Sequence, residues 1–293
     1  MVITPELRQA FAPIPDELRA RIVRRLPQEP LEELRLKCEA PVIARTARSE
    51  YVLDDVTASG SMVRACVESA CAHSVYAAQN MLRQGYVILP GGHRMGLCGT
   101  GVYQSGELTT LREISSVNLR VARQCTGCAE RPAGFLWTHP QSTLILGPPG
   151  RGKTTLLREL IRTMAGRFGW RVSVVDERQE LAACLNGVPQ LDVGLRSDIL
   201  SGVGKAQGIE LLLRSMRPQW IALDEITAES DVVAVSRAAY CGVRFLATVH
   251  ADSREELAHR PVYRMLLAQR VFENVLTILP DRTVCTERMN RDD

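Results

Sequence analysis

The sequence predicts an α/β protein in which a smaller α+β domain precedes a parallel β-sheet covered by helices. Two observations support this prediction. In the second half of the chain, short apolar runs alternate with stretches of helical periodicity, which is typical of parallel strands joined by helices. In the first half, several short strands with alternating apolar and polar residues surround one long helical stretch. We expect the N-terminal domain over residues 1–130, with a linker to about residue 140, and the second domain over 141–293.

The composition is that of an ordinary globular protein. Hydrophobic residues make up 45% and charged residues 24% of the 293 residues, which suggests one large or two ordinary domains. A net charge of +3 is too small to imply a nucleic-acid partner by itself, and an aromatic content of 5% does not favour a base-stacking surface, so no nucleic-acid partner is expected. The sequence contains no run of about 18 apolar residues and no signal-peptide core near its start, so we expect a soluble, intracellular protein.

The nine cysteines are scattered through predicted helices and strands and do not indicate a secreted disulfide framework. Cys125 and Cys128 form a lone C-x-x-C sequence. A zinc site would need a second pair of ligands, which the sequence does not supply. We therefore expect ordinary reduced thiols, and a redox pair is the alternative.

The first predicted helix is Asp16–Leu26, which Pro27 and Pro30 bring to an end. Its apolar face carries Leu18, Ile22, Val23 and Leu26. Its opposite face is basic and carries Arg19, Arg21, Arg24 and Arg25. A solvated face is the simplest interpretation, and a docking face for an acidic partner or a membrane surface is the alternative.

The rest of the first half is predicted as strands around one helix. Leu31–Cys38 alternates apolar and charged residues, as a half-buried strand does. Ser61–Arg83 has helical periodicity and ends at Gly85. The other predicted strands are Pro41–Ala44, Tyr51–Leu53, Tyr86–Leu89, Leu97–Val102 and Glu113–Ala122.

Two further segments of the first half are predicted to connect elements or domains. Pro90–Gly96 is predicted to be a tight glycine turn within a hairpin. The functional alternative is that His93 or Arg94 faces a nucleotide or a neighbouring subunit. Ala129–Pro140 is predicted to be the linker between the domains.

The second half alternates strand and helix. Thr143–Leu146 is a predicted strand, and Thr155–Ile161 is the helix-like run that follows it after a glycine-rich loop. Asn186–Gly208 is polar and rich in glycine, so we predict a loop near a bound nucleotide. The remaining strands are predicted at Val172–Val175, Trp220–Leu223 and Arg244–Val249, and the remaining helices at Ile209–Met216 and Glu229–Cys241.

The glycine-rich loop reads Gly-Pro-Pro-Gly-Arg-Gly-Lys-Thr. Its glycines let backbone N–H groups close around an anion, and the helix N-terminus adds its positive end. Lys153 would reach the outer phosphates of a nucleotide, and the Thr154 hydroxyl would bind Mg²⁺. A glycine-rich surface turn would leave the Gly-Lys-Thr ending unexplained. The predicted nucleotide-binding residues are Gly147, Pro148, Pro149, Gly150, Arg151, Gly152, Lys153, Thr154 and Thr155.

An acidic pair ends each of two predicted strands. Asp224 and Glu225 end one of them, and Asp176 and Glu177 end the other. In Mg-nucleotide chemistry, one carboxylate holds the metal and another orients or deprotonates the attacking water. We assign Asp224 to Mg²⁺ and Glu225 to the water. Glu177 and Asp176 are rivals because we expect their strand to neighbour the strand before the loop, and helix capping is the structural alternative for either pair.

Further polar residues could act on a phosphate. Thr248 and His250 lie two residues apart on a strand, so their side chains point to the same side and either could touch the γ-phosphate. A buried core histidine is the alternative. A cation would stabilise the charge that develops on the phosphate, and in ring-shaped ATPases a neighbouring subunit often supplies it. The candidates are Arg94, Arg112, Arg120, Arg196 and Arg237.

The absence of the guanine-reading sequence N-K-x-D favours adenine, and hence ATP with Mg²⁺ as the bound species. Seven stretches taken together resemble the stage III sporulation protein AA family, over nearly the whole chain. They are Gly85–Gly99, Ser115–Arg120, Gly147–Thr154, Val175–Glu180, Leu213–Pro218, Asp224–Ile226 and Ala247–Ala251.

That family is similar to the secretion ATPases of type II and type IV systems and to pilus motors. Leu213–Ile226 is similar to their L-R-x-x-P-D-x-I-x-x-G-E-I pattern, with Asp224 in the place of glycine. Val174–Glu180 is similar to their I-E-D-P-x-E pattern, with Asp176 in the place of glutamate, and His250 falls at their histidine box.

The resemblance implies a RecA-like P-loop NTPase core and an ATPase that works as a hexameric ring. It further implies a protein of the mother-cell cytoplasm, held at the membrane through partners, that energises a channel complex between mother cell and forespore. A nucleic-acid-stimulated, helicase-like ATPase is the alternative, because RecA-type sheets serve both classes. A scaffold that binds ATP and barely hydrolyses it is a third interpretation.

Overall fold

The computed structural model describes residues 4–71 and 82–289, and it divides the chain into two compact units. The first unit comprises Met1–Arg123 and Ala183–Gln190, and the second comprises Gln124–Ala182 and Leu191–Asp293. No pattern in the sequence predicts the return of Ala183–Gln190 to the first unit. Within that unit, the backbone N–H of Gly91 donates to Oε1 of Gln190 over 3.1 Å.

Three helices of the first unit are described. α1 (Pro5–Ala10) has Thr4 as its N-cap, whose hydroxyl accepts a hydrogen bond from the N–H of Leu7. α2 (Asp16–Arg25) forms where a helix was predicted and buries Leu18 and Ile22. α3 (Gly60–Cys71) covers the start of the predicted helix Ser61–Arg83, and residues 72–81 of that prediction lie outside the described residues.

The sheet of the first unit is antiparallel, with the strand order β3-β2-β1-β6-β5-β4. In its central strand β1, Leu34 and Leu36 are buried while Arg35 and Lys37 are exposed, as the alternation predicts. The strands are β1 (Leu31–Lys37), β2 (Ala40–Thr46), β3 (Glu50–Ala58), β4 (Tyr86–Ile88), β5 (Arg94–Gln104) and β6 (Glu107–Arg120).

The glycine segment of the first unit is a single 3-10 turn, Pro90–Gly92, in which Gly91 has a φ of 77°. His93 is only 1% exposed, and its Nδ1 accepts a hydrogen bond of 3.0 Å from the N–H of Ala122. Burial lowers the pKa of His93, which favours this neutral, accepting imidazole. The Arg94 guanidinium lies 3.5 Å from the ring centroid of Tyr86. Both side chains therefore contribute to packing within the first unit.

The second unit is built on a seven-stranded sheet with the order β13-β12-β7-β11-β10-β8-β9. Among the described residues, β12 and β13 pair antiparallel and the other neighbours pair parallel. The strands are β7 (Thr143–Leu146), β8 (Val172–Asp176), β9 (Ser197–Ser201), β10 (Trp220–Leu223), β11 (Arg244–Val249), β12 (Asn274–Ile278) and β13 (Val284–Arg288).

The helices of the second unit correct two predictions. Ala129–Pro140, expected as a linker, instead contains α4, whose residues Pro132, Ala133 and Leu136 are buried. Asn186–Gly208, expected as one loop, contains β9 and the start of α6. The helices are α4 (Glu130–Thr138), α5 (Lys153–Gly166), α6 (Lys205–Ser215), α7 (Glu229–Tyr240), α8 (Arg254–His259) and α9 (Pro261–Ala268).

Helices α6 and α7 cover the centre of this sheet. Ile209 of α6 and Val232 of α7 are fully buried in one apolar cluster with Ile221 and Phe245 from the strands. Burial of each such side chain stabilises the fold by about 1.5–3 kcal/mol. The cluster fixes the spacing of β10 and β11, whose C-terminal ends carry polar residues.

The strand order decides which polar residues can meet. Carboxyl ends of parallel strands lie at one edge of a sheet, so the residues after β7, β10 and β11 converge there. The phosphate-loop strand β7 pairs with β11 and β12, whereas β8 pairs with β10 and β9. The expectation that the strand before Asp176 and Glu177 neighbours the phosphate-loop strand is therefore wrong, because β11 and β10 lie between them.

One glycine permits the approach of the segment before β9 to α5. Gly194 has a φ of +85°, and a Cβ there would lie 2.7 Å from the carbonyl oxygen of Arg162. Gly242 in the same unit has a similar φ of +82° but nothing within 4 Å of such a Cβ. Alanine at Gly242 would carry only the cost of a left-handed backbone, whereas alanine at Gly194 would add the cost of steric overlap.

We expect Gly194→Ala to lower the free energy of unfolding by at least about 3 kcal/mol, because it combines left-handed strain with overlap against backbone atoms. Gly242→Ala should cost only about 1–2 kcal/mol, because it carries the strain alone. Urea denaturation of both variants measures the difference. Equal losses would contradict the close approach at Gly194.

Candidate functional site

The predicted phosphate-binding loop connects β7 to α5. Gly150 and Gly152 have φ values of 74° and 102°, a region that glycine adopts without strain. α5 begins at Lys153, and no side chain caps its N-terminus. The first backbone N–H groups of α5 can therefore donate to an anion, which the helix dipole also favours.

Lys153 is held by the loop that precedes it. Its side chain is 6% exposed, and Nζ donates to the carbonyl oxygens of Gly147 over 2.7 Å and Pro148 over 2.9 Å. Nζ also lies 2.8 Å from Nδ1 of His250. Burial lowers the pKa of Lys153, and the carboxylate of Asp224 is the largest influence that opposes this shift.

Asp224 joins the start of α5 to the end of β11. Its Oδ2 accepts a 2.8 Å hydrogen bond from the Thr154 hydroxyl, and its Oδ1 accepts one of 2.7 Å from the Thr248 hydroxyl. The Thr248 hydroxyl in turn accepts from the N–H of Glu225 over 2.7 Å. Thr154 and Asp224, both predicted to hold Mg²⁺, are thus in direct contact.

The residues at this contact suit a magnesium ion. Hydroxyl and carboxylate oxygens are its preferred ligands, and in nucleotide sites one or two protein groups bind it together with phosphates and water. Within residues 4–71 and 82–289, no cluster of three or more His, Cys, Asp or Glu residues could hold a metal by itself. The donor set of Thr154 and Asp224 therefore fits a metal that arrives with a nucleotide.

Glu225 lies between two basic side chains. Its Oε1 is 2.5 Å from Nε2 of His250, and its Oε2 accepts a 2.5 Å hydrogen bond from Arg178. The Lys153 ammonium can only donate to Nδ1 of His250, so Nε2 of that ring carries the hydrogen and donates to Glu225. A line of hydrogen bonds therefore runs from Lys153 through His250 to Glu225.

The backbone of Glu225 is also unusual. Its φ is 57°, a left-handed conformation that costs a non-glycine residue free energy and that clusters at functional sites in proteins. The side chain is 20% exposed, so a water molecule can reach it. The strain and the accessible carboxylate coincide at the residue predicted to act on water.

The second acidic pair has different surroundings. Asp176 is 2% exposed, and its carboxylate accepts hydrogen bonds of 2.9–3.1 Å from three consecutive backbone N–H groups. Burial raises the pKa of Asp176, and these hydrogen bonds oppose the shift. Glu177 forms an ion pair with Lys205, whose side chain is 6% exposed. Asp176 thus shapes the loop after β8, and Glu177 is engaged by a buried cation.

Sequence reasoning missed three basic residues here. Arg178, which contacts Glu225, was not among the five candidate arginines, and no sequence signal distinguished it. Arg158 of α5 donates to the carbonyl oxygens of Leu181 and Glu180 and so fixes the same loop as Asp176. For Lys205, the rarity of lysine was a usable sequence signal, because the chain contains only three lysines among its 36 basic residues. The structure buries two of the three in this unit.

The cysteines do not form bridges. All nine are free thiols. The Cys128 thiol donates to the carbonyl oxygen of Cys125 over 3.4 Å, and both residues are exposed. Partial desolvation and the neighbouring Cys125 raise the pKa of the Cys128 thiol, which disfavours the nucleophilic thiolate. In the described part of the chain, no helix is both long enough and apolar enough to cross a membrane.

The chain is similar to known proteins of one family over most of its length. A family model described as sporulation stage III, protein AA matches residues 15–286. Stage III sporulation protein AA of Bacillus subtilis (strain 168) is 34% identical over 283 residues, which cover 94% of this chain and 89% of that protein.

Solved structures resemble the fold at low sequence identity. The Legionella pneumophila ATPase DotB has a TM-score of 0.55 and 13% identity, over 93% of this chain and 77% of its own. The pilus retraction motor PilT, solved with bound ADP, has a TM-score of 0.60 and 15% identity, over 92% of this chain and 82% of its own. These similarities confirm the predicted RecA-like P-loop fold.

The pair formed by Glu177 and the buried Lys205 allows a test by stability. We expect Glu177→Gln to lower the free energy of unfolding by about 1–2 kcal/mol, because it leaves a buried ammonium without its counter-ion. Adding Lys205→Met should recover most of this loss, because it removes the uncompensated charge. Thermal or urea denaturation of the two variants measures both effects, and a double variant less stable than Glu177→Gln would contradict the pairing.

Proposed function

Because the chain belongs to the sporulation stage III protein AA family, we propose that it is an ATPase of the secretion-motor type, converting ATP and water to ADP and phosphate. One observation carries the proposal. Lys153 of the phosphate-binding loop is linked through His250 to Glu225, and Thr154 is linked to Asp224, at the same edge of the sheet. Groups for the phosphates, the metal and the water thus converge within hydrogen-bond distance of one another.

Each residue has a proposed role. The backbone N–H groups of residues 150–155 bind the phosphates, since Pro148 and Pro149 have none, and Lys153 exchanges its bonds to the loop carbonyls for bonds to the β- and γ-phosphates. Thr154 and Asp224 would hold Mg²⁺, which would supply positive charge to neutralise the phosphates. Glu225 orients the attacking water and accepts its proton.

His250 is the proposed sensor of the γ-phosphate. It touches Lys153 on one side and Glu225 on the other, so movement of Lys153 toward a phosphate changes the hydrogen bonding of the carboxylate. Glu177 is the second candidate for the catalytic carboxylate. It has less support than Glu225, because its partner is Lys205, whereas the contact of Glu225 with His250 leads to Lys153 of the loop.

The family and the fold support a proposed biological role. We propose that ATP hydrolysis energises the channel complex between mother cell and forespore, with the protein in the mother-cell cytoplasm and held at the membrane through partners. A homo-oligomer, in the form of a hexameric ring, would provide the arginine that acts from a neighbouring subunit. The fold shared with the ATPase DotB and the pilus retraction motor PilT supports this proposal.

We expect Lys153→Ala to reduce ATP turnover at least about 100-fold, because the γ-phosphate loses its cation during transfer. The matched control is Lys37→Ala on β1, which removes an exposed lysine and should leave turnover unchanged. Release of phosphate measures turnover, and circular dichroism checks folding. Unchanged turnover in Lys153→Ala would defeat the assignment, and strong stimulation by single-stranded DNA or RNA would favour the helicase-like alternative.

The two candidate carboxylates can be separated by matched amide substitutions. Glu225→Gln should lower turnover about 100-fold while ATP still binds, because an amide cannot accept the proton from water. Glu177→Gln should lower it less than about 10-fold. Single-turnover hydrolysis and binding of a fluorescent ATP analogue provide the two readouts. The reverse order of effects would transfer the role to Glu177.

A further inference from the structure

The edge of the sheet opposite the phosphate-binding loop carries an unusual group of side chains. The rings of Trp137, Trp170 and Trp220 stack in that order, and Phe168 packs at an angle against Trp137 and Trp170, with neighbouring centroids 4.7–5.8 Å apart. Trp170 and Trp220 stand at the amino ends of β8 and β10. All three tryptophans of the chain lie in this stack, which we call the aromatic ladder.

Three exposed arginines form a row beside the ladder. Each stands at the start of a parallel strand: Arg196 before β9, Arg171 before β8 and Arg244 as the first residue of β11. Backbone hydrogen bonds connect the row, from Val172 to the carbonyl of Arg196, from Trp220 to that of Arg171 and from Arg244 to that of Gln219. The positive charges therefore follow one edge of the sheet.

The ladder approaches the row closely. The Arg244 guanidinium lies 5.8 Å from the ring centroid of Trp220. A Cβ at Gly169, between Phe168 and Trp170, would lie 3.5 Å from Nη1 of Arg196. Glu130 pairs with Arg167 nearby at 3.1 Å, so this pair adds no net charge beside the row.

Apolar groups project into solvent at the same place. Trp137 is 56% exposed, and Leu195, next to Arg196, is 88% exposed. Large exposed apolar side chains surrounded by arginines have the composition of surfaces that enter the interface of anionic membranes. We call this combination of the aromatic ladder, Leu195 and the arginine row the amino-edge face.

We propose that the amino-edge face docks on an anionic phospholipid bilayer. The arginines would contact lipid phosphates, and Trp137 and Leu195 would enter the interfacial region. The face lies opposite the carboxyl edge, so docking leaves the proposed nucleotide site of the same unit open. The proposal concerns direct contact with lipid and does not depend on ATP hydrolysis.

The ring geometry favours lipid over single-stranded nucleic acid. Trp170 lies between Trp137 and Trp220, with interplanar angles of 15° and 12°, so the inner ring faces are engaged by other rings. Nucleic-acid surfaces that bind single strands present open ring faces on which bases stack. The exposed aliphatic side chain of Leu195 also suits an acyl environment better than a polyanion.

The tryptophans supply their own probe, because intrinsic emission reports on the ladder alone. The full chain is titrated with vesicles of phosphatidylcholine containing about one third phosphatidylglycerol, and with vesicles of phosphatidylcholine alone. We expect a blue shift and quenching by brominated acyl chains with the anionic vesicles only, both reduced by added salt. Equal binding to both kinds of vesicle, or no binding to either, would overturn the proposal.

Two variants with matched charge locate the face. Arg171→Gln, Arg196→Gln and Arg244→Gln together should weaken vesicle binding roughly 100-fold, because each arginine near an anionic surface contributes about one kcal/mol. The control removes Arg19, Arg24 and Arg25 from the basic side of α2 by the same change to Gln, and should bind as the wild type does. Loss of binding in the control alone would assign membrane contact to α2 instead.

Substitution of the exposed Trp137 tests the apolar part of the amino-edge face and its alternative partners. Trp137→Ala should weaken vesicle binding about 10-fold and leave the mass in solution unchanged. A change of oligomeric state in that variant would show that the face is an interface between copies of the chain. Tighter binding of a single-stranded oligonucleotide than of vesicles would assign the face to nucleic acid. Lys153→Ala should bind vesicles normally, so failure of the ATPase proposal and failure of this one are distinguishable.

Discussion

The sharing of one carboxylate between two hydroxyl groups organises the candidate site. Asp224 accepts from Thr154 at the start of α5 and from Thr248 at the end of β11, while it stands itself at the end of β10. Three elements are thereby held at hydrogen-bond distance. Because the same Thr248 hydroxyl accepts the N–H of Glu225, the backbone of the neighbouring carboxylate is fixed by the same contact. The geometry around the phosphate-binding loop depends on this shared acceptor.

The chain uses the sequence Asp-Glu twice at strand ends, for different physical purposes. After β8, the Asp176 carboxylate accepts hydrogen bonds from backbone N–H groups, and Glu177 forms an ion pair with Lys205, so this acidic pair stabilises a loop. After β10, Asp224 meets hydroxyl groups, and Glu225 contacts His250, which in turn contacts the lysine of the loop. The two dipeptides are chemically identical, so the difference arises from the groups that surround the end of each strand.

Much of the second unit could be predicted, because its signals are local. β10 and β11 form at their predicted bounds, and the Gly-Lys-Thr ending and the later Asp-Glu pair lie where the alternation of strand and helix places them. β9 was missed because its residues are all half-buried and show no alternation. α4 was missed because its Pro and Gly residues lower helix propensity, which packing of Leu136 overrides.

The order of strands and the pairing of distant side chains could not be predicted, since neither leaves a local pattern. Arg178 and Glu225 are 47 residues apart, and Lys205 and Glu177 are 28 apart. A lysine at the first position of α6 opposes the helix dipole, which is unfavourable without a partner. Such a residue indicates a tertiary contact, but only the structure identifies the carboxylate that provides it.

Because Ala183–Gln190 belongs to the first unit, neither unit is a continuous stretch of polypeptide. The chain passes from one unit to the other at three points, after Arg123, after Ala182 and after Gln190. A fragment starting at Gln124 would keep the phosphate-binding loop but would deprive Gln190 of its bond to Gly91. An N-terminal half transplanted from another protein would therefore keep this hydrogen bond only if the segment between β8 and β9 were exchanged with it.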